Sequence, residues 1–251
     1  MIFPLKNGIL LRMKIFAHRG VAHREADENS VEAFQRAIEL GIDGIEVDVR
    51  LTKDGEPVVF HDKDLRRLAG DNRRIEDLTY RDLRNIVLRR GSSIPFLDDV
   101  TGCIPAPVQI DFEIKDKAAL ECIVRKLRTS KGLRERSFIS SFNKTVLMLA
   151  KEELPDVPLY LLRRRWPIRL HRFEEWAKEV GLSGLGLVYT SWNEPRISWM
   201  EEREMRAITW EPMEPVVLRS TVKRAKKLEA LGMELVIANQ PEVYLEVVAK
   251  G

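Results

Sequence analysis

The chain has 251 residues, 44% hydrophobic and 32% charged, with 42 Lys and Arg against 39 Asp and Glu and a net charge of +3. That balance excludes a disordered polymer, and the mixed signs exclude the dense basic face of a nucleic-acid binder. No run approaches the roughly 18 apolar residues of a membrane span, and Cys103 and Cys122, the only cysteines, lack the spacing of a disulfide scaffold or zinc site. The expectation is a cytoplasmic protein with ordinary thiols, no nucleic-acid partner and no stable membrane insertion. The residues ahead of Met13 carry no small-residue cleavage site and read as a tail or an extension.

Apolar stretches of strand length then alternate with helical patterns. A strand over 14–17 precedes a helix over 29–40, capped by Asn29 or Ser30 and ended by Gly41. The second strand, 44–51, reads GIEVDVRL and alternates apolar with charged residues, although a strand buried under helices in a parallel sheet should be apolar throughout. After the Asp54-Gly55 turn a short strand over 57–60 leads into His61 and Asp62. Residues 63–99 are rich in Arg and Asp, with one helix candidate at 80–88, and read as an insertion over one end of the fold. Strands and helices then alternate as 107–115 and 117–129, 137–141 and 143–153, 157–162 and 170–180, 184–189 and 195–202, and 205–210 and 221–231. A last strand, 234–238, leads to a terminal helix opened by Pro241. Eight such units without an internal repeat predict an α/β fold of the (β/α)8 TIM-barrel type. It is read as a single domain over residues 1–251, with a small insertion at about 63–99 after the second strand.

In such barrels the chemistry sits at the C-terminal strand ends. His18 and Arg19 end the first strand, Glu46 and Asp48 share one face of the second, His61 ends the short strand, and Glu113 with Lys115 share a face of the next. Three facing carboxylates repel and are costly to bury unless a cation or a shared proton offsets them. Oxygen donors without Cys favour a hard divalent cation, Mg²⁺ or Ca²⁺, with Mn²⁺ a further candidate. Arg19 and Lys115 add fixed positive charge suited to a phosphoryl oxygen. His18 and His61 fit a general acid and base, in an order the residues leave open. An internal ion pair of Glu113 with Lys115 is the bland alternative, and it needs no metal.

HRG, ENS, GIDGIEVDVRLTKDGEPVVFHD, IPFLDDV, QIDFEIK and SSFN closely resemble the motifs of the glycerophosphodiester phosphodiesterase family, with fainter likeness in AITWEP and ELVIANQP. The resemblance implies a (β/α)8 barrel, one divalent cation, and hydrolysis of glycerophosphodiesters to glycerol 3-phosphate and an alcohol. It makes His18 and His61 the catalytic pair, Arg19 and Lys115 phosphate ligands, Glu46, Asp48 and Glu113 metal ligands, and Trp210 a surface for the glycerol carbons. Asp27 stands where the family usually has proline, and ANQP departs from its usual Thr-Asp or Thr-Asn, so Asn239 is left out of the site. A phospholipase-type lyase that stops at a cyclic phosphate and an inert phosphodiester-binding protein are the competing functions. His23 and His171 read as structural or surface residues, and Trp166, Trp176, Trp192 and Trp199 as packing. The runs 163–165 and 223–227 read as solvated charge, and residues 71–74 as a contact for the substrate's polar head.

Overall fold

The structure, a computed structural model, describes residues 12–22, 26–115, 117–213 and 218–250. His23 and nearly all of the expected tail lie outside them. The strands are β1 (Lys14–His18), β2 (Gly44–Leu51), β3 (Pro57–Val59), β4 (Gln109–Ile114), β5 (Ser137–Ser141), β6 (Leu159–Arg163), β7 (Gly184–Val188), β8 (Arg206–Trp210) and β9 (Leu235–Ala238). They form one sheet in the order β1-β9-β8-β7-β6-β5-β4-β2-β3, and pairing of β1 with β2 closes it. All neighbours are parallel except β3, which folds back on β2 as a hairpin. The ring without β3 is an eight-stranded parallel barrel with helices between strands, the expected (β/α)8 architecture.

Period-two alternation divides the core into two layers. One set, including Ile15, Ala17, Ile45, Val47, Val49, Ile110 and Phe112, is buried with the surrounding helices. The other, Phe16, Phe138, Tyr160, Leu162, Ile208, Leu235 and Ile237, fills the barrel interior. Two glycines admit these large inner side chains: a Cβ on Gly44 would lie 2.3 Å from the Phe16 ring, and one on Gly184 would lie 2.7 Å from the Tyr160 ring. With that end of the barrel filled by apolar groups, the charged inner positions of β2 and β4 gather at the other.

Three local differences from the sequence reading affect the site. The first helix is Val31–Glu39, because Ser30 caps it through Oγ to the Ala33 N–H while Asn29 takes φ +59° and turns its side chain elsewhere. The second unit has its own helix, Leu97–Cys103, which the sequence reading did not foresee; the segment is short and its Gly and Cys weaken the helical pattern. The insertion holds single turns, Arg66–Ala69, Ile75–Asp77 and Tyr80–Leu83, around a small cluster that includes Phe60, Leu65, Ile75 and Leu83. Asp27 ties that insertion down, since its Oδ2 accepts the Arg90 N–H at 2.9 Å. No helix among the described residues is long and apolar enough to cross a membrane.

Candidate active site

The His18-Arg19-Gly20 turn ends β1 with two consecutive left-handed residues, Arg19 at φ +62° and Gly20 at φ +80°. A Cβ on Gly20 would lie 2.7 Å from the Ala33 carbonyl carbon, so only glycine lets the Val31–Glu39 helix approach this closely. Left-handed backbone costs a non-glycine residue about 1–2 kcal/mol, and the bonds around Arg19 offset it. Its N–H donates to Glu46 Oε2 at 3.1 Å, and its carbonyl accepts the Asn29 N–H at 2.9 Å.

Glu46 and Asp48 on β2 and Glu113 on β4 are buried, and each offers a carboxylate oxygen within 4.8 Å of the others. The parallel register makes Asp48 and Glu113 neighbours. Asp48 is the best supported: Lys115 Nζ lies 2.6 Å from its Oδ1, Arg19 Nε lies 3.0 Å from its Oδ2, and Asn29 Nδ2 donates to it at 2.9 Å. Burial alone would raise its carboxyl, but Lys115 and Arg19 hold it well below the usual carboxylate range. Lys115 also pairs with Glu113.

Glu46 has no such cation. Burial, followed by the Asp48 and Glu113 charges, pushes its carboxyl well above the ordinary range, and its buried Oε1 has no hydrogen-bond partner. Arg19 and Lys115 are therefore two cations against three carboxylates, so an ion pair alone leaves Glu46 uncompensated. An all-oxygen set with one orphaned buried acceptor fits a hard divalent cation. One rung deeper on the same face, fully buried Asp111 is raised well above its usual range by burial.

The two histidines are supported differently. His18 is buried, and its Nδ1 lies 2.6 Å from Asn239 Oδ1. The Asn239 Nδ2 donates to the Pro212 carbonyl at 2.8 Å, which leaves the amide oxygen facing the imidazole. Buried Glu211 fixes the same loop, accepting the Asn239 N–H at 2.8 Å and the Tyr244 hydroxyl at 2.5 Å while pairing with Arg224. Burial and then the Arg19 charge lower the His18 pKa to about 3. His61 is more exposed, and its Nδ1 lies 2.7 Å from Asp62 Oδ1. Asp62 Oδ2 accepts from Arg67 Nε at 2.7 Å; burial would raise this carboxyl, but His61 and Arg67 bring it below the usual range. Arg50 holds the His61 carbonyl through two N–H donors, at 2.6 and 2.9 Å. Arg67 also reaches Glu28 at 2.6 Å, and Glu28 reaches Arg19 at 2.7 Å. A run of alternating charges thus links His61 to the carboxylate cluster through Asp62, Arg67, Glu28 and Arg19.

These groups surround a cavity of about 530 Å³. His18, Arg19, Glu46, His61, Glu113, Lys115 and Trp210 all line it, and Asp48 lies beneath them, fully buried. The two histidines, Arg19, Lys115, Trp210 and the three carboxylates singled out from the sequence are thus brought to one end of the barrel. Sequence reasoning missed Asn239, Asp62, Glu28 and Arg67, which orient or offset the predicted groups. Asp62 was visible in the HD pair and Glu28 in ENS, whereas Arg67 carried no signal within the insertion. Residues 71–74 do not reach the cavity: Arg73 pairs with Asp71 and Arg74 with Glu76. The opposite wall is formed by Phe142, Leu162, Arg164, Trp210, Met213 and Ile237.

The model of the glycerophosphoryl diester phosphodiesterase family matches residues 18–243. The chain belongs to this family. The enzyme named glycerophosphodiester phosphodiesterase from Caldanaerobacter subterraneus subsp. tengcongensis is 27% identical over 259 aligned positions, which cover 96% of this chain and all of that one. Among solved structures, a chain from Galdieria sulphuraria matches with a TM-score of 0.84 at 22% identity, over 96% of this chain and 99% of its own. A phosphodiesterase of Oleispira antarctica, solved with the product sn-glycerol-3-phosphate, matches with a TM-score of 0.80 at 21% identity, over 95% of this chain and 97% of its own. At these identities the structural matches speak to the fold, and the family assignment rests on the family model.

Proposed function

We propose that this member of the glycerophosphodiester phosphodiesterase family hydrolyses glycerophosphodiesters to glycerol 3-phosphate and an alcohol, with a divalent cation on Glu46, Asp48 and Glu113. The observation that carries this reading is the uncompensated carboxylate cluster sharing one cavity with two histidines, each held at Nδ1 by an oxygen acceptor, the Asn239 amide for His18 and the Asp62 carboxylate for His61. The product-bound Oleispira antarctica phosphodiesterase shares the fold and agrees with it. Mg²⁺ and Ca²⁺ both suit the oxygen set.

A bound cation would supply Lewis-acid polarisation of a phosphoryl oxygen. Arg19 and Lys115 offer donors to the phosphoryl oxygens, on the side where charge develops. Asn239 Oδ1 accepts from the His18 Nδ1–H, which leaves Nε2 unprotonated toward the cavity, and the low pKa keeps the ring neutral. His18 is therefore the general base, taking a proton from the attacking hydroxyl or water. Asp62 Oδ1, 2.7 Å from His61 Nδ1, orients the second ring at the cavity, and His61 takes the remaining role of general acid. As the bond from phosphorus to the leaving oxygen breaks, the His61 proton passes to the leaving alkoxide. Trp210 packs against the glycerol carbons.

Phosphorus NMR of glycerophosphoglycerol turnover tests this. The expected end product is a phosphomonoester, absent with His18→Ala. A cyclic phosphate that accumulates and persists would instead assign the chain to the lyase reaction, and no turnover of any diester would overturn the enzymatic reading.

A further inference from the structure

The charge run at 163–165 was read from the sequence as solvated, and its place in the fold gives it a second meaning. From residue 157 to residue 173 the chain contains no Asp or Glu but holds Arg163, Arg164, Arg165, Arg169 and Arg172. Arg164, Arg165 and Arg169 are exposed, and none of them pairs with a carboxylate among the described residues. Other exposed arginines are in part paired, as Arg73 is with Asp71 and Arg128 with Glu153, but nowhere else among the described residues do three exposed ones without a carboxylate partner fall within six positions of one loop. Lys144, exposed at the start of the helix after β5, lies on the same barrel end.

The same rim exposes apolar side chains. Ile168 is 97% exposed, the most exposed large hydrophobic among the described residues, and Phe142 and Met213 are about half exposed. They occupy the loops after β6, β5 and β8, at the barrel end that holds the cavity. Phe142 and Arg164 both meet Trp210, one edge-on at 5.6 Å and the other with its guanidinium 6.0 Å from the ring centroid. Single exposed hydrophobics are ordinary. Two of these three line the cavity and the third, Ile168, lies on the β6 loop of the same barrel end; interleaved with arginines that pair with no carboxylate and free of acidic neighbours in that loop, they match an interfacial surface.

We propose that this rim docks peripherally on an anionic lipid bilayer, with Ile168, Phe142 and Met213 entering the headgroup boundary and Arg164, Arg165 and Arg169 facing lipid phosphates. Docking of this kind needs no spanning helix, and it turns the cavity mouth toward the membrane. Charge complementarity selects the partner: the arginines favour anionic over zwitterionic lipid, and the contribution is screened by salt.

Flotation of the full chain with vesicles of phosphatidylglycerol and phosphatidylcholine in equal parts, against phosphatidylcholine alone, tests the proposal without requiring turnover. Failure of the hydrolase reading would therefore leave this test unaffected. The expected result is partition onto the anionic vesicles that weakens as salt rises. Each reversed arginine is expected to reduce it about fivefold or more, so Arg165→Glu with Arg169→Glu should lose on the order of thirtyfold. Ile168→Glu should lose roughly tenfold. Circular dichroism verifies that these surface variants are folded. Equal partition onto both vesicles, no partition, or partition unchanged by all three substitutions would overturn the proposal.

Discussion

The two walls of the cavity are built on different physical terms. On β1, β2 and β4 nearly every polar group is fixed by another: Asp48 by Lys115, Arg19 and Asn29, Arg19 by Glu28, and Glu28 by Arg67. Across the mouth, Phe142, Leu162, Trp210 and Met213 present apolar surface with Arg164 at its edge, and ring contacts replace the charge network. Substitutions on the first wall should therefore act on the chemical step and on stability. Those on the second should act on binding.

The largest effect is expected at the cluster. Glu46→Gln or Glu113→Gln should lower kcat by roughly a thousandfold or more, since Lewis-acid stabilisation supplies several kcal/mol, and metal binding measured calorimetrically should disappear with it. Asp48→Asn attacks the same wall through stability: leaving Arg19 and Lys115 without their shared partner should cost about 3–5 kcal/mol, read as a lower denaturant midpoint. Asp62→Asn should leave the fold intact and lower kcat by roughly tenfold to a hundredfold, because the His61 ring loses the carboxylate that orients it. An unchanged kcat would contradict the role given to His61 and its orientation by Asp62. Trp210→Ala, on the apolar wall, should raise KM several-fold with a smaller change in kcat. An equal loss in kcat would mean that the two walls do not divide the work this way.

A smaller effect should appear in stability against pH. His18 has a folded pKa of about 3 against an ordinary 6.5, so the unfolded chain binds its proton first. The stability contributed by neutral His18 is fully present above pH 6.5 and is lost as pH falls from 6.5 toward about 3. Denaturant titrations at pH 7 and pH 5 should show this loss in the native protein and a reduced loss in His18→Asn.

Most of the barrel and most of the cluster could be read from the sequence because their signals are local. The alternation in GIEVDVRL places Glu46 and Asp48 on one inner face, and QIDFEIK does the same for Glu113. What could not be read depends on closure of the barrel. Asn239 is 221 positions from His18, and it becomes a partner only because β9 lies beside β1. Arg67 belongs to an insertion without a regular period, so nothing in its neighbourhood marks it as the link between Glu28 and Asp62. Helix Leu97–Cys103 was missed for a local reason, since seven residues with Gly102 and Cys103 carry too weak a pattern. The cationic rim was read as solvent-facing because sequence alone does not show that Arg164 lines the cavity.

The most direct test of the central claim is release of glycerol 3-phosphate from glycerophosphocholine by the purified chain, before and after EDTA and after return of Mg²⁺, Ca²⁺ or Mn²⁺. Turnover abolished by EDTA, restored by one of these ions and absent from Glu46→Gln is the predicted result. Turnover indifferent to EDTA in the native protein would contradict the cation role given to Glu46, Asp48 and Glu113.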